Sequence, residues 1–300
     1  MNSLGIFAAP GKANARALAL KIISLSEAAG IAVKIQSQLA PEIDRDDLGV
    51  ARDEDIAASD VLVTLGGDGA VLVAARAAAP YKTPVLAIDL GRLGFLSAVR
   101  PTELEEAFAR LLGGELVAEE RMMLEARVLR ARQEERGAPN SLTEVGGGIG
   151  LNDAVVAKSA LARILRLSIF LDGDLAAETR SDGLIIATPT GSTAYALSAG
   201  GPIVHPGVPL LLVCPICAHS LAQRPLVVGA DETVELHAEW EGDEVASSEL
   251  EAMLTIDGQI GVRLQPGDRV QVRQAQCTAR LLHLPGYNFY DRLREKMGWG

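Results

Sequence analysis

The chain of 300 residues contains few cysteines and few aromatic side chains. It has three cysteines, an odd number in a long chain, and this argues against a framework of disulfide bonds. Aromatic residues make up 4% of the sequence, whereas hydrophobic residues of all kinds make up 48%. The core must therefore be built mainly from aliphatic side chains, as in an ordinary folded protein. For a chain of this length we expect two domains.

Positive charge is also scarce, since 28 Lys and Arg residues stand against 39 Asp and Glu residues and the formal net charge is -11. Nucleic acids and anionic membranes bind clustered basic residues, so we expect neither as a partner. The longest apolar stretch, residues 208–218, is interrupted by Pro209 and Pro215 and is too short to cross a bilayer. The first residues lack the pattern of a secretion signal, and we therefore expect a cytoplasmic protein.

The most informative stretch is residues 61–69, where an apolar run ends in three glycines around one carboxylate, Asp68. The run predicts a buried strand, and residues 71–78 predict a helix directly after it. The glycines permit positive φ and let backbone amides approach a ligand, and a helix that begins there can bind phosphate. A carboxylate at this turn suits a general base or a metal ligand. A plain strand-to-helix turn is the alternative, because short glycine motifs recur by chance.

Strands and helices alternate over the first 100 residues, and this predicts a parallel sheet with helices on its faces. Gly30 is expected to end the first helix. A second glycine-rich turn, residues 90–96, follows a strand in the same way as the first, and ligands bind at such strand ends. The expected strands are residues 4–9, 31–35, 61–65 and 85–89, and the expected helices are residues 14–29 and 69–79.

The pattern changes after a helix expected at residues 102–112. Many short strands then follow, with Asp172-Gly173 and Asp257-Gly258 as hairpin turns. We interpret residues 133–150 as a flexible insertion and residues 288–297 as a terminal helix. We predict an α/β domain at residues 1–100, on which the tail 285–300 packs, and an all-β domain at residues 101–284. The expected strands are residues 121–132, 153–157, 164–171, 175–178, 183–187, 209–214, 225–228, 233–238, 253–256, 269–273 and 278–283.

A second informative region, residues 180–202, runs from a strand through a turn rich in Thr, Ser and Gly into a short helix. Gly200-Gly201-Pro202 is expected to stop this helix, and Ser192 or Thr193 to cap its beginning. So short a helix gains little from its own hydrogen bonds. We expect this helix to present hydroxyl groups and Tyr195 to a polar, nucleotide-sized ligand. A simple capped turn is the alternative.

Several motifs occur in an order that resembles the bacterial NAD kinases, from about residue 5 to the end of the chain. The resemblance implies a Rossmann-like α/β N-terminal domain and a β-sandwich-like C-terminal domain, with the tail returning to the first. The motifs are Gly66-Gly67-Asp68-Gly69, Leu90-Gly91-Arg92-Leu93-Gly94-Phe95-Leu96, Asn152-Asp153, Asp182-Gly183-Leu184-Ile185, Thr188 to Tyr195, Ser198 to Pro202, His219-Ser220-Leu221 with Arg224-Pro225, and Asp257-Gly258-Gln259.

The resemblance implies that Asp68 is the general base. It takes the proton from the 2′-hydroxyl of the adenosine ribose of NAD while that oxygen attacks the γ-phosphorus of ATP, and the product is NADP. Mg²⁺ or another divalent metal is implied with ATP, and no residue of the chain is assigned as a metal ligand. The implied phosphate-donor loop is Gly66, Gly67 and Gly69, and the implied NAD-binding residues are Asp68, Gly69, Asn152, Asp153, Arg163, Arg180, Asp182, Thr193, Ala194, Tyr195, Ser198 and Gln259.

Three positions depart from the family pattern. Asp153 stands where Glu is usual, and it keeps the charge but shortens the reach. Ala70 replaces the usual Thr or Asn after the glycine motif, and Asp89 replaces the usual Asn before Leu-Gly. The last two could alter contacts with the phosphate donor.

Other assignments stay open. A lipid kinase or another alcohol kinase shares the glycine loop, and a non-catalytic dinucleotide sensor is a different class altogether. Inorganic polyphosphate could replace ATP, and NADH could replace NAD. The resemblance implies a homodimer or a homotetramer. Cys214 and Cys217 have zinc-like spacing, but no second pair accompanies them, so buried thiols are the simpler interpretation.

Overall fold

A computed structural model describes residues 1–8, 13–91, 94–97, 99–131, 142–158, 164–220, 222–240 and 252–299. The chain divides into two compact units. Unit 1 contains residues 1–121 and 277–300, and unit 2 contains residues 122–276.

The described residues form the following elements. The helices are α1 (Ala13–Ala28), α2 (Asp53–Ala57), α3 (Asp68–Ala78), α4 (Leu104–Gly113), α5 (Tyr195–Ser198) and α6 (Phe289–Met297). The strands are β1 (Ser3–Ala8), β2 (Ala32–Gln36), β3 (Gly49–Val50), β4 (Val61–Gly66), β5 (Pro84–Asp89), β6 (Val117–Ala131), β7 (Leu142–Gly150), β8 (Asp153–Lys158), β9 (Leu165–Leu171), β10 (Asp174–Ser181), β11 (Gly183–Ala187), β12 (Leu210–Ile216), β13 (Leu226–Gly229), β14 (Val234–Trp240), β15 (Ala252–Ile256), β16 (Ile260–Leu264) and β17 (Arg269–His283).

Unit 1 contains the expected parallel sheet. Its strand order is β5-β4-β1-β2-β3, and residues 280–282 of β17 add a further parallel strand beside β5. Every residue of β4 is buried, as its continuous apolar run predicts for a central strand covered on both faces. Gly30 lies after α1 with a φ of 71°, so this helix ends where the sequence predicts. The Rossmann-like expectation for this part of the chain is confirmed.

The division between the units falls later than the expected boundary at residue 100. Leu104, Ala107 and Phe108 of α4 pack into the same core as β1 and β4, so this helix belongs to unit 1. The tail from residue 277 onward belongs to unit 1 as well. Within unit 1 the carboxylate of Glu119 lies 2.7 Å from Arg121 Nη2 and 2.9 Å from His283 Nε2.

Unit 2 is a β-sandwich. One sheet has the antiparallel order β13-β12-β11-β8-β15-β16. In the other sheet β10, β9, β14 and residues 269–272 of β17 are neighbours, and β6 pairs with β7. Alternate residues of both sheets, including Leu167 and Ile186, fill one aliphatic core. The β-sandwich expectation is confirmed.

Both expected hairpin turns are present. Asp172 and Gly173 have φ angles of 47° and 93°, and Asp257 and Gly258 have φ angles of 52° and 64°. Positive φ at both central residues is the turn that matches the twist of antiparallel strands, and Asp-Gly tolerates it well. These turns connect β9 to β10 and β15 to β16.

The expectation of a flexible insertion at residues 133–150 is wrong for its second half, because residues 142–150 form β7. Its glycines suggested a loop, but they allow close approach of β7 to the facing strands β15 and β16. A Cβ on Gly146 would lie 3.1 Å from Val262, and one on Gly150 would lie 2.6 Å from Ile256. The sequence pattern also splits β17 into two strands, whereas it is one strand of 15 residues.

A membrane-spanning helix would have to be long and continuously apolar. None of the helices in the described ranges meets that requirement.

Candidate active site

Asp68 is the first residue of α3 and follows the glycine end of β4. Its half-buried carboxylate accepts two hydrogen bonds from the backbone of the second glycine turn. The donors are the N–H of Phe95, 2.8 Å from Oδ2, and the N–H of Leu96, 3.1 Å from Oδ1. Two donors on two oxygens fix the plane of the carboxylate, which leaves its remaining lone pairs in defined directions.

The glycines of the first turn leave the backbone open to a ligand, as expected, and they do so without left-handed geometry. Gly67 has a φ of −97°, and neither Gly66 nor Gly69 has a positive φ. A Cβ on Gly67 or Gly69 would meet no atom within 4 Å. The turn is therefore open on the side where side chains would stand, which gives a ligand access to the backbone at the beginning of α3.

The second glycine turn approaches Asp68 closely through Gly94. A Cβ on Gly94 would overlap Oδ1 and Cγ of Asp68. Only glycine lets the chain pass so close to the carboxylate and still present the next two amides to it. The two glycine turns singled out from the sequence therefore act together within unit 1.

A pocket of about 290 Å³ opens beside this turn at the carboxyl ends of β1 and β4. Ligands bind at this edge of parallel sheets. Most of its lining is apolar, with Gln36 and Thr64 as polar members. Its lining residues are Phe7, Ala8, Gln36, Thr64, Gly69, Ala70 and Val73.

In unit 2, the backbone of residues 151–153 is held by the carboxylate of Asp257. It accepts hydrogen bonds from the N–H groups of Leu151 at 3.0 Å, Asn152 at 2.8 Å and Asp153 at 3.3 Å. The sequence identifies Asp257 as a hairpin-turn residue and as part of the Asp257-Gly258-Gln259 motif, but it does not predict this role. The partners are more than 100 positions away along the chain, and no local pattern reveals them.

Asn152 also contacts the turn that follows β11. The N–H of Thr188 donates to Asn152 O at 2.9 Å, and Thr188 Oγ1 donates to Leu151 O at 2.5 Å. A Cβ on Gly191 would overlap Asn152 O, so glycine is required for this approach. The Asn-Asp pair and the Thr-Gly turn, which are separate in the sequence, are thus brought together at one end of β8 and β11.

Asp153 is 5% exposed and begins β8. Burial, and secondly the nearby carboxylate of Asp257, raise the pKa of Asp153 from its ordinary value of 3.8 to about 7. Near neutral pH this carboxyl group is therefore present in both protonation states. It can donate or accept a hydrogen bond to a ligand hydroxyl or amide.

The raised pKa of Asp153 predicts a dependence of stability on pH. Between about pH 4 and pH 7 the folded chain keeps a proton that the unfolded chain releases, so the free energy of unfolding falls as the pH rises through this range. The difference corresponds to an upper value of about 4 kcal/mol. We expect Asp153→Asn to lose less stability than the wild type between pH 5 and pH 8 in denaturant titrations.

The control for this experiment is Asp174→Asn, which changes an exposed carboxylate of β10 in the same unit. It should follow the wild-type curve. Parallel curves for Asp153→Asn and the wild type would show that Asp153 does not titrate in this range.

The short helix α5 ends before Gly200, as expected, but its beginning is not capped by a side chain. The expectation that Ser192 or Thr193 caps it is wrong. Ser192 Oγ is buried and joins the backbone of Val204 by two hydrogen bonds, and Thr193 Oγ1 donates to Thr190 O at 3.2 Å. The hydroxyls therefore shape the turn itself, because local side-chain bonds to backbone compete with helix caps.

The remaining candidate residues occupy more exposed positions. Tyr195 is 46% exposed, and Arg180, Ser198 and Gln259 are exposed as well. Asp182 lies 3.1 Å from Lys158 Nζ, and both are partly exposed. Arg163 lies outside the described residues. Thr193 and Ala194 are half-buried in the turn before α5.

Two family models match the chain. The model of the ATP-NAD kinase N-terminal domain matches residues 4–116, and that of the ATP-NAD kinase C-terminal domain matches residues 151–284. The two matched regions carry the glycine turns and the Asn-Asp and Thr-Gly segments, which define a two-domain kinase.

Curated relatives agree with these matches. The NAD kinase of Symbiobacterium thermophilum is 43% identical over 277 residues, which cover 92% of this chain and 92% of the relative. The NAD kinase of Moorella thermoacetica is 42% identical over 300 residues, which cover 100% of this chain and 90% of the relative. The chain belongs to the ATP-NAD kinase family.

Solved structures share the fold. A yeast NADH kinase complexed with NADH has a TM-score of 0.84 and 28% identity, with 100% of this chain and 88% of that chain covered. An NAD kinase from Archaeoglobus fulgidus in complex with ATP has a TM-score of 0.72 and 21% identity, with 99% of each chain covered.

Proposed function

We propose that this kinase transfers the γ-phosphate of ATP to the 2′-hydroxyl of the adenosine ribose of NAD and so forms NADP, with Asp68 as the general base. The observation that carries this proposal is the geometry of Asp68. Its carboxylate stands at the open glycine turn beside the beginning of α3 and is fixed by the amides of Phe95 and Leu96.

In the proposed reaction the ribose oxygen gives its proton to Asp68 and forms a bond to the γ-phosphorus, while the bond to the bridging oxygen of ADP breaks. A carboxylate whose plane is fixed by two donors needs little rearrangement to accept the proton. Among the described residues, no group of three or more His, Cys, Asp or Glu side chains is arranged to hold a metal ion. A divalent metal bound to the phosphates of ATP would neutralise part of their charge.

We place the phosphate donor at the carboxyl ends of β1 and β4. The pocket beside Gly69 supports this, because it adjoins the open glycine turn and has a mainly apolar lining with two polar groups. Gly66, Gly67 and Gly69 form the proposed donor loop. Ala70 also lines the pocket, so the small side chain at this position gives the donor more room than the usual Thr or Asn.

We assign NAD binding to Asp68 and Gly69 and to a set of residues in unit 2. The support in unit 2 is the convergence of the Asn-Asp pair with the Thr-Gly turn, and the protonation of Asp153 near neutral pH. The assigned residues in unit 2 are Asn152, Asp153, Arg180, Asp182, Thr193, Ala194, Tyr195, Ser198 and Gln259. Arg163 keeps its assignment from the family resemblance.

Tyr195 provides a direct test of NAD binding. The ring is 46% exposed at the beginning of α5, where it can cover a flat ligand group. We expect Tyr195→Ala to raise the Kd for NAD about 10-fold, measured by calorimetry. The control is Tyr81→Ala, because Tyr81 is 47% exposed and lies in unit 1 after α3. Equal affinities of the Tyr195 variant and the wild type would remove Tyr195 from the site.

The function is tested by a coupled assay in which ATP or polyphosphate is combined with NAD or NADH, and ATP also with diacylglycerol and sphingoid bases. We expect ATP and NAD to give NADP and the lipids to give no product. Phosphorylation of a lipid but not of NAD would favour the alternative alcohol kinase. Binding of NAD without any product in the presence of Mg²⁺ would favour a dinucleotide sensor.

We also propose that the chain forms a homodimer or a homotetramer and acts in the cytoplasm, where both substrates are present. The family resemblance is the basis of both proposals.

A further inference from the structure

Asp89 is a buried carboxylate that the reaction itself does not use. It is 2% exposed and stands at the end of β5, directly before the second glycine turn. Oδ1 accepts a hydrogen bond from the N–H of Gly91 at 2.7 Å, and Oδ2 accepts one from the N–H of Gly94 at 2.8 Å. A carboxyl group this deeply buried needs hydrogen-bond partners, and among the described residues its donors lie in the segment that follows it, residues 91–97.

Ser97 completes this arrangement at the other end of the turn. It is 1% exposed, its hydroxyl donates to Asp89 Oδ2 at 2.7 Å, and Oγ accepts from the N–H of Gly94 at 3.0 Å. From the side of α6, Arg292 Nη2 donates to the carbonyl oxygen of Ser97 at 3.4 Å. The N–H of Gly94 is thus bound by the side chains of Asp89 and Ser97. Ser97 itself is bound at its hydroxyl by Asp89 and at its carbonyl oxygen by Arg292.

The two residues between these anchors are Phe95 and Leu96, whose amides bind the carboxylate of Asp68. Asp89 and Ser97 do not contact Asp68 by any hydrogen bond in the described chain, and they act on it only through this backbone. Because Gly94 leaves no room for a side chain against Asp68, a small shift of the turn would move the amides and the carboxylate together.

We propose that Asp89 and Ser97 are positioning residues of the kinase reaction: they fix the backbone of residues 94–97, whose amides set the orientation of the carboxylate of Asp68. This inference rests on the proposed function, because it takes Asp68 as the general base. It also explains the departure at position 89, since a carboxylate can accept the hydrogen bonds of Gly91, Gly94 and Ser97 at once. An amide offers one accepting oxygen and presents a donor in place of the other.

The experiment measures kcat, the KM for NAD and the KM for ATP of Asp89→Ala, Asp89→Asn and Ser97→Ala, each also combined with Asp68→Asn. We expect Ser97→Ala and Asp89→Ala to lower kcat about 10- to 100-fold, because a displacement of about 1 Å has effects of this size. Both KM values should stay within about threefold. Asp89→Asn should retain more activity than Asp89→Ala, because it keeps one acceptor.

The combination with Asp68→Asn separates positioning from a general structural effect. If Asp89 and Ser97 act through Asp68, their substitution should lower kcat no further once the base is absent. Hydrogen exchange of the Phe95 and Leu96 amides should also become faster in Ser97→Ala. The control is Ser26→Ala, which removes a buried, hydrogen-bonded hydroxyl of α1 in the same unit and should leave both the exchange of these amides and kcat as in the wild type.

Equal losses of kcat in the presence and absence of the Asp68 carboxylate would overturn the inference, as would unchanged kcat in both Ser97→Ala and Asp89→Ala. A failure of the proposed function has a different signature. In that case Asp68→Asn alone would keep its turnover, whatever happens at positions 89 and 97.

Discussion

Asp68→Asn is expected to lose about 10²- to 10⁴-fold in kcat, the typical contribution of a positioned general base. The amide has nearly the volume of the carboxylate but cannot take the proton of the ribose hydroxyl at neutral pH. It still offers one oxygen to the loop amides that bind both carboxylate oxygens in the wild type. NAD affinity should therefore change only a few-fold, and initial rates together with calorimetry measure the two effects separately.

A matched control lies at the other end of β4. The carboxylate of Asp60 accepts hydrogen bonds from the N–H groups of Asn2 at 2.5 Å and Ser3 at 3.1 Å, so it too binds two backbone amides. Asp60→Asn removes the same charge from the opposite edge of the same sheet, and its kcat should stay within about twofold of the wild type. A comparable loss in both variants would mean that charge or stability, and not base catalysis, explains the result.

Gly94→Ala is expected to have the second largest effect. The new methyl group would overlap the carboxylate of Asp68, so either the turn or the side chain must move. Movement of about 1 Å at a reacting group lowers rates about 100-fold, and we expect a loss of kcat of this size. Overpacking should also lower the free energy of unfolding by about 1–3 kcal/mol. Steady-state kinetics and denaturant titration measure the two quantities.

Gly91→Ala is the comparison for this variant, because it lies in the same turn. Its Cβ would meet only Asp89 Oδ1 at 3.7 Å, which is an ordinary contact. Its loss of kcat should be below about threefold. If Gly94→Ala retained the kcat of Gly91→Ala, the close approach to Asp68 would have no catalytic importance.

Local sequence signals predicted most of the fold for identifiable reasons. Asp172-Gly173 and Asp257-Gly258 predict the hairpins, because the positive φ angles that these turns require depend only on the two turn residues themselves. The apolar run of β4 and its glycine end located the strand, the turn and the beginning of α3. The sequence does not predict the strand β7. Its glycines leave room for side chains of β15 and β16 that lie more than 100 positions away, and no local pattern shows this.

The sequence predicts the residues of the candidate site but not the hydrogen bonds that join them. Asp68 and the second glycine turn were both singled out, but the hydrogen bonds between them join residues 27 and 28 positions apart. The roles of Asp257 and Thr188 depend on contacts of this kind. Ser97 bonds to nearby residues, but buried polar residues show no periodic pattern that would reveal it. The sequence indicates Asp89 as a departure near the phosphate donor, whereas in the structure its carboxylate accepts hydrogen bonds from Gly91, Gly94 and Ser97.

The central claim is that Asp68 takes the proton of the ribose hydroxyl during phosphoryl transfer. The most direct test is a rapid-quench, single-turnover measurement with enzyme saturated by NAD and labelled ATP, in the wild type and in Asp68→Asn. A single turnover does not include product release, and saturating substrates make binding fast, so the rate reports phosphoryl transfer. We predict that NADP forms at least about 100-fold more slowly in the variant. A rate within about threefold of the wild type would contradict the assignment of Asp68 as the base.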